Sequence, residues 1–207
     1  MVDEAHSVGI LGPNGRGMED HFSLPGSIDV LMGTFSKAPG TCGGYVSGSK
    51  SLIYYLRFFA NAGVFTASLP SATCAGITEA FKIMASEPEH RNALWKNTYA
   101  LSRGLKDLGF ILPEPESPII TVFMGTNQLL WTFSKELFMR GIKCGNVAFP
   151  AVPNGEAILR ITMNTRHSEQ DLSKCLDAMK ELGNKYGILS KTKKEIREIG
   201  RAIGKGK

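Results

Sequence analysis

The sequence predicts an α/β chain, in which part of a large domain with parallel strands is followed by a small α+β domain. Three observations lead there. Up to about residue 110, apolar runs alternate with segments of helical periodicity. Pro113, Pro115 and Pro118 then punctuate a linker. Beyond it the order becomes strand, helix, strand, strand, helix, the pattern of a sheet whose helices cover one face. The predicted divisions are 1–110, 111–189 and a basic tail, 190–207.

In chain order, Val2 to His6 ends a strand, and Ser7 to Gly17 is a glycine-dense loop with a Pro-Asn-Gly turn signal. Such a loop admits a ligand close to its backbone or merely turns a corner. Asp20 to Ser27 is a connector. Ile28 to Met32 is a buried strand that stops at Gly33 and runs into Thr34-Phe35-Ser36-Lys37-Ala38-Pro39-Gly40. Gly43 to Gly48 forms a short strand, and Ser49 or Ser51 caps a helix through Phe59. Asn61 to Pro70 is rich in turns, after which Ser71 caps a helix to about Ala85. Pro88 sits in the first turn of a helix to Leu108, with Leu94, Tyr99, Leu101, Leu105 and Leu108 as its apolar stripe.

In the second part, Ile119 to Met124 is a strand, Gln128 to Met139 a helix, and Ile142 to Phe149 and Ala157 to Met163 two further strands. Ser168 caps a helix to Lys185. The tail places Ile196, Ile199 and Ile203 at helical spacing among basic residues. That pattern suits a frayed, solvated terminus, or a helix lying on an anionic membrane surface.

Composition narrows the function. Of 207 residues 43% are hydrophobic, enough for a core, and the net charge is +5. All of that excess lies in residues 190–207, so residues 1–189 carry 17 basic and 17 acidic groups. A neutral body argues against a nucleic-acid track. The four cysteines are scattered without a C-x-x-C pair or a nearby histidine at ligand spacing, which argues against a zinc site and for a reducing compartment. With no apolar run of membrane-spanning length and no leader pattern, a cytoplasmic protein is expected. Met1 opens inside a strand, and on that ground the chain is expected to be the carboxyl part of a longer one.

Asp3-Glu4-Ala5-His6 after an apolar strand also matches the metal-binding box of nucleic-acid helicases, but that reading needs a Gly-x-x-x-x-Gly-Lys-Ser/Thr phosphate loop, which this sequence lacks. Another chemistry uses the same residues. Asp3 at one strand end, His6 three residues on, and Thr34, Ser36 and Lys37 at a later strand end are what a pyridoxal phosphate (PLP) site needs. The aldehyde takes a lysine amine, the pyridine nitrogen a carboxylate, and the phosphate hydroxyl donors.

The ordered motifs Asp-Glu-Ala-His-Ser-Val-Gly, Gly-Pro-Asn-Gly-Arg-Gly, Gly-Thr-Phe-Ser-Lys-Ala-x-Gly and Gly-Gly-Tyr resemble the α-oxoamine synthases, within the fold-type-I (aspartate aminotransferase-like) PLP enzymes. The resemblance runs from Met1 to about Leu189. It implies that Lys37 bonds to PLP and later removes the amino acid's Cα proton. It further implies that Asp3 pairs with the pyridinium nitrogen, that His6 hydrogen-bonds the phenolic oxygen, and that Thr34 and Ser36 hold the phosphate with Thr66 of a second subunit. Arg160 would grip the amino-acid carboxylate, and the site would lie at a homodimer interface. No metal is implied.

The implied reaction is a decarboxylative condensation of an amino acid with an acyl-CoA. Val64 to Pro70, Leu94 to Asn97, Gly104 to Phe110 and Ser117 to Ile120 look most like bacterial serine palmitoyltransferases, of sphingolipid biosynthesis. Pro150-Ala151-Val152-Pro153 departs at its third residue from that subgroup's Pro-Ala-Thr-Pro loop. Glycine acetyltransferases and 8-amino-7-oxononanoate synthases, which carry related loops, are the alternatives. The family's glycine-rich phosphate loop and ring-stacking histidine lie upstream of the Asp-x-x-His strand. This chain alone is therefore expected to be a weak catalyst, and a truncated or non-catalytic relative is the alternative of another class.

Overall fold

A computed structural model describes residues 1–205, so that the last two residues of the basic tail lie outside the described residues. The backbone divides into two compact units, Met1–Asn92 and a second from Ala93 onward. The proline-punctuated segment therefore falls inside the second unit.

The first unit holds a three-stranded sheet of β1 (Val2–Asp3), β2 (Val30–Thr34) and β3 (Gly44–Gly48), in the order β1-β2-β3. β1 runs parallel to β2, with Asp3 opposite Met32, and β3 runs antiparallel to β2. Gly33 in β2 pairs with Tyr45, and a Cβ on Gly33 would enter the tyrosine ring, so close approach demands glycine there. The Tyr45 ring stacks on Phe35 at 5.3 Å, and Phe81 meets both edge-on. A short helix, α1 (Met18–Phe22), occupies part of the stretch expected to be plain connector.

α2 (Lys50–Phe59) starts where Ser49 Oγ accepts from Leu52 N at 3.3 Å, and its Tyr54, Tyr55, Phe58 and Phe59 are all exposed. A single turn, α3 (Asn61–Val64), follows, and then α4 (Ser71–Ser86). Pro70, not Ser71, stands at the α4 cap: Ser71 is already helical, and no side chain caps that end. Phe35 and Ile77 are the buried apolar side chains among the described residues of this unit.

α5 (Pro88–Asp107) enters the second unit, whose antiparallel sheet is ordered β4 (Ile119–Gly125), β6 (Ala157–Thr162), β5 (Gly145–Val147). α6 (Asn127–Met139) and α7 (Glu169–Tyr186) complete the α+β pattern. Ile120, Val122, Met124, Leu129, Leu130, Phe133, Leu137, Leu159, Met179 and Leu182 form the core with Leu101 and Leu105. Along β6, Ala157, Leu159 and Ile161 are buried while Ile158, Arg160 and Thr162 are not, the alternation of a sheet with one covered face. α5 and α7 pack closely, since a Cβ on Gly104 would meet Leu176 at 2.7 Å.

Three expectations are corrected here. Tyr99 is 55% exposed and stacks on Trp95 at 5.3 Å, so of the expected α5 stripe Leu94, Leu101, Leu105 and Leu108 meet the core and Thr98 takes the place given to Tyr99. β5 spans three residues of the eight expected, because only these face β6 in register. Over its described residues the tail is neither frayed nor left with an apolar face for lipid. It forms α8 (Lys193–Lys205), with Ile196 buried and Ile199 and Ile203 packed on the core. Arg197 Nε donates to Gly155 O at 2.8 Å, and its guanidinium pairs with Glu156. Among the described residues no helix is long and apolar enough to cross a membrane.

Candidate functional site

β1 and β2 are neighbouring parallel strands, so their carboxyl ends share one edge of the sheet, where ligands of open α/β sheets gather. Asp3 closes β1 and His6 follows in the next turn; both are exposed. Asp3 Oδ1 accepts from Ala5 N at 2.8 Å, which fixes the carboxylate against its own backbone. Thr34 closes β2, and its Oγ1 lies 2.8 Å from Ser36 Oγ and donates to Gly43 O at 3.2 Å. Lys37 is exposed on the loop beyond. That loop is tied back on itself: Phe35 N donates to Gly43 O, Thr41 N to Phe35 O and Gly40 N to Lys37 O, all within 3.0 Å.

The remaining two candidates sit elsewhere in the chain. Thr66 follows α3 in an exposed stretch of the first unit. Arg160 lies in the middle strand of the second unit's sheet, paired with Thr121 on one side and Gly145 on the other. Its Nε is buried and has no hydrogen-bond partner. A buried guanidinium nitrogen left unpaired is costly, and a carboxylate is its natural complement.

Glu4 enters the sequence reading only inside Asp-Glu-Ala-His motifs and with no role of its own at the cofactor, yet it is 1% exposed at the centre of this edge. Its carboxylate accepts from Met18 N at 3.0 and 3.2 Å and from Ser7 Oγ, and burial pushes its pKa up. The signal was available: consecutive strand residues point to opposite faces, so an exposed Asp3 turns Glu4 inward.

The donor set in the first unit fits PLP. One primary amine, two hydroxyls within hydrogen-bond distance of each other, a carboxylate and an imidazole are the group types that the aldehyde, phosphate, ring nitrogen and phenolic oxygen of that cofactor call for.

Comparison with known proteins agrees with this chemistry. Residues 1–179 match the family model Aminotransferase class I and II. The 8-amino-7-oxononanoate synthase of Thermosipho melanesiensis is 40% identical over 189 residues, covering 91% of this chain and 48% of that protein. Among solved structures, the serine palmitoyltransferase of S. paucimobilis with a bound PLP–myriocin aldimine superposes with a TM-score of 0.85 at 34% identity, over 91% of this chain and 48% of that one. The 8-amino-7-oxononanoate synthase of Francisella tularensis gives 0.78 at 25% identity, over 90% and 55%. The chain spans about half the length of the curated relatives it matches. By motif order, family match and fold, it belongs to the aminotransferase class I and II family, among the α-oxoamine synthases of the PLP-dependent fold-type-I enzymes.

Proposed function

We propose that this chain carries the lysine half of an α-oxoamine synthase site, in which an amino acid, L-serine in the first reading, condenses with an acyl-CoA and loses CO₂. The observation that carries the proposal is the gathering of Asp3, His6, Thr34, Ser36 and Lys37 at the carboxyl ends of two adjacent parallel strands. In this reading Lys37 would hold the cofactor through its aldehyde and, as a free amine, would be the base for the Cα proton. Asp3 would receive the ring N–H, His6 would hydrogen-bond the phenolic oxygen, and Thr34 and Ser36 would donate to the phosphate with Thr66 of a partner subunit. Arg160 holds the substrate carboxylate. When bound, the cofactor supplies an electron-withdrawing ring that acidifies the Cα–H bond. The substrate Cα, its proton passed to Lys37, then forms a bond to the acyl carbon as the C–S bond breaks and CoA leaves as a thiolate that takes up a proton. The carboxylate leaves as CO₂, and the electron pair it leaves on Cα is taken up by a second proton.

The exposed aromatic side chains of α2 support a homodimer as the working assembly, since such a face in water is an association surface. The exposure of Asp3, His6 and Lys37 supports slow turnover by this chain alone, because charge development in open water is poorly stabilised. A cytoplasmic location is part of the same proposal. The 40% identity to the Thermosipho melanesiensis 8-amino-7-oxononanoate synthase supports the second reading, in which the amino acid is not serine, while among the solved structures 34% for the serine palmitoyltransferase against 25% for the Francisella tularensis 8-amino-7-oxononanoate synthase supports the first.

The test is PLP loading, followed by borohydride reduction and peptide mapping, then a panel of small amino acids with acyl-CoAs of different length, read by release of free thiol. Covalent PLP on the Lys37 peptide, lost in Lys37→Ala, is expected. Labelling that survives in Lys37→Ala overturns the site. Serine-dependent thiol release supports the first reading, and release with another amino acid the second.

A further inference from the structure

Glu4 lies between the two residues assigned to the cofactor ring, yet its own side chain points into the protein, and every polar group it owns is engaged. Its N–H donates to Met32 O at 2.7 Å, tying the end of β1 to β2. Its carbonyl accepts from Ser7 N at 3.1 Å and Val8 N at 3.2 Å, closing the turn that carries His6. Its carboxylate takes Ser7 Oγ from the start of the glycine loop and Met18 N from beyond its end. Gly17, at φ 99°, lies against the same carboxylate, and a Cβ there would come within 2.8 Å of Glu4 Cδ. Ser7 is also buried, at 4% exposure. One residue thus fastens strand end, His6 turn and both ends of the eleven-residue glycine loop, 7–17.

We infer that Glu4 is a positioning residue: through Ser7 and Met18 it holds the turn between Asp3 and His6 in the geometry that receives the cofactor ring. The inference rests on the PLP reading above. Its physical basis is that a buried O–H and a part-buried N–H need an acceptor, and their loss costs more than a surface hydrogen bond returns. Shape and acceptor capacity, not charge, carry the role. Burial already disfavours the charged form, and an amide oxygen in the place of Oε2, which accepts from both Ser7 Oγ and Met18 N, can keep both donors.

The test compares wild type, Glu4→Gln, Glu4→Ala and Ser7→Ala in two measurements: amide hydrogen exchange at Val8 and Met18 without cofactor, and the apparent Kd for PLP from the absorbance of the Lys37 adduct. In Glu4→Ala, exchange at Met18 is expected to rise about tenfold and PLP binding to weaken about tenfold, the effect of leaving one buried donor unsatisfied. Glu4→Gln is expected to restore both to within about threefold of wild type. Unchanged PLP affinity in Glu4→Ala overturns the role even if exchange rises, because the brace would then be structural only. Should Glu4→Ala not fold, Ser7→Ala decides the matter: faster exchange with weaker PLP binding supports the brace, and wild-type values overturn it. If the wild-type chain forms no Lys37 adduct, the PLP reading itself fails and the inference falls with it, a result distinct from a selective loss in the variants.

Discussion

Gly200→Ala should weaken the second unit even though alanine is the better helix former. Gly200 is buried inside α8, where a Cβ would sit 2.8 Å from Thr126 Cγ2 and 3.0 Å from Thr126 Cβ, with Thr126 Oγ1 closer still. Carbon atoms prefer about 3.5–4.0 Å, so the two elements must separate by up to about 1 Å. Thr126 cannot easily turn aside, because its Oγ1 caps α6 by accepting from Leu129 N at 3.3 Å and its branched side chain is stiff. Losing that cap costs about 1 kcal/mol, which the helix propensity of alanine over glycine roughly returns. The overpacking remains, about 1–3 kcal/mol, as α8 lifts and Ile196 loses its burial.

Urea unfolding followed by tryptophan fluorescence reports this, since Trp95 and Trp131 both lie in the second unit. A loss of about 2 kcal/mol lowers the midpoint by about 1 M at the usual m-values. Gly204→Ala is the control. Its Cβ would meet only the flexible Gln128 side chain, at 3.3 Å, so its midpoint should stay level or rise. In a Thr126→Ala background the cost of Gly200→Ala should fall by at least about half, because the two closest atoms, Oγ1 and Cγ2, are gone and only Cβ remains, at 3.0 Å. A Gly200→Ala midpoint at or above wild type would refute the close-approach argument.

Two further predictions concern charge. Glu195 accepts from Thr192 N and Thr192 Oγ1, both at 2.8 Å, and with Lys191 these hold its pKa at about 2 instead of 4.5. A depressed carboxyl contributes stability that is full above the unfolded value and fades as pH falls from about 4.5 toward about 2; Glu195→Gln should therefore flatten the acid limb of the stability curve, and a carbon-detected titration midpoint near 4.5 for Glu195 would contradict it. Arg160→Lys keeps the charge but loses the planar fork, so amino-acid binding to the PLP-loaded protein, followed by absorbance, should weaken about tenfold while PLP affinity is unchanged.

Local signals fixed much of the fold, and one helix shows how far they carry. Ser168 with Asp171 three residues on announces a capping box, and both reciprocal hydrogen bonds are present at the start of α7. Glycine and hydroxyl residues around Lys37 likewise mark a strand end in any context, and Thr34 and Ser36 do meet there. These features depend on neighbours a few residues away, so the order of amino acids suffices to specify them.

Other outcomes needed partners that are distant in sequence. Tyr99 and Leu101 look alike as apolar helix residues, but only Leu101 faces the core formed by β4, β6 and α6. Ile196, Ile199 and Ile203 announce an amphipathic helix without saying what receives it; water, lipid and protein are equally compatible with the stripe until the surface of β4 and α6 is in place. Glu4 acquired its role in the same way. A carboxylate becomes a brace only when folding brings Ser7 and Met18 within reach and removes the water that would otherwise satisfy all three.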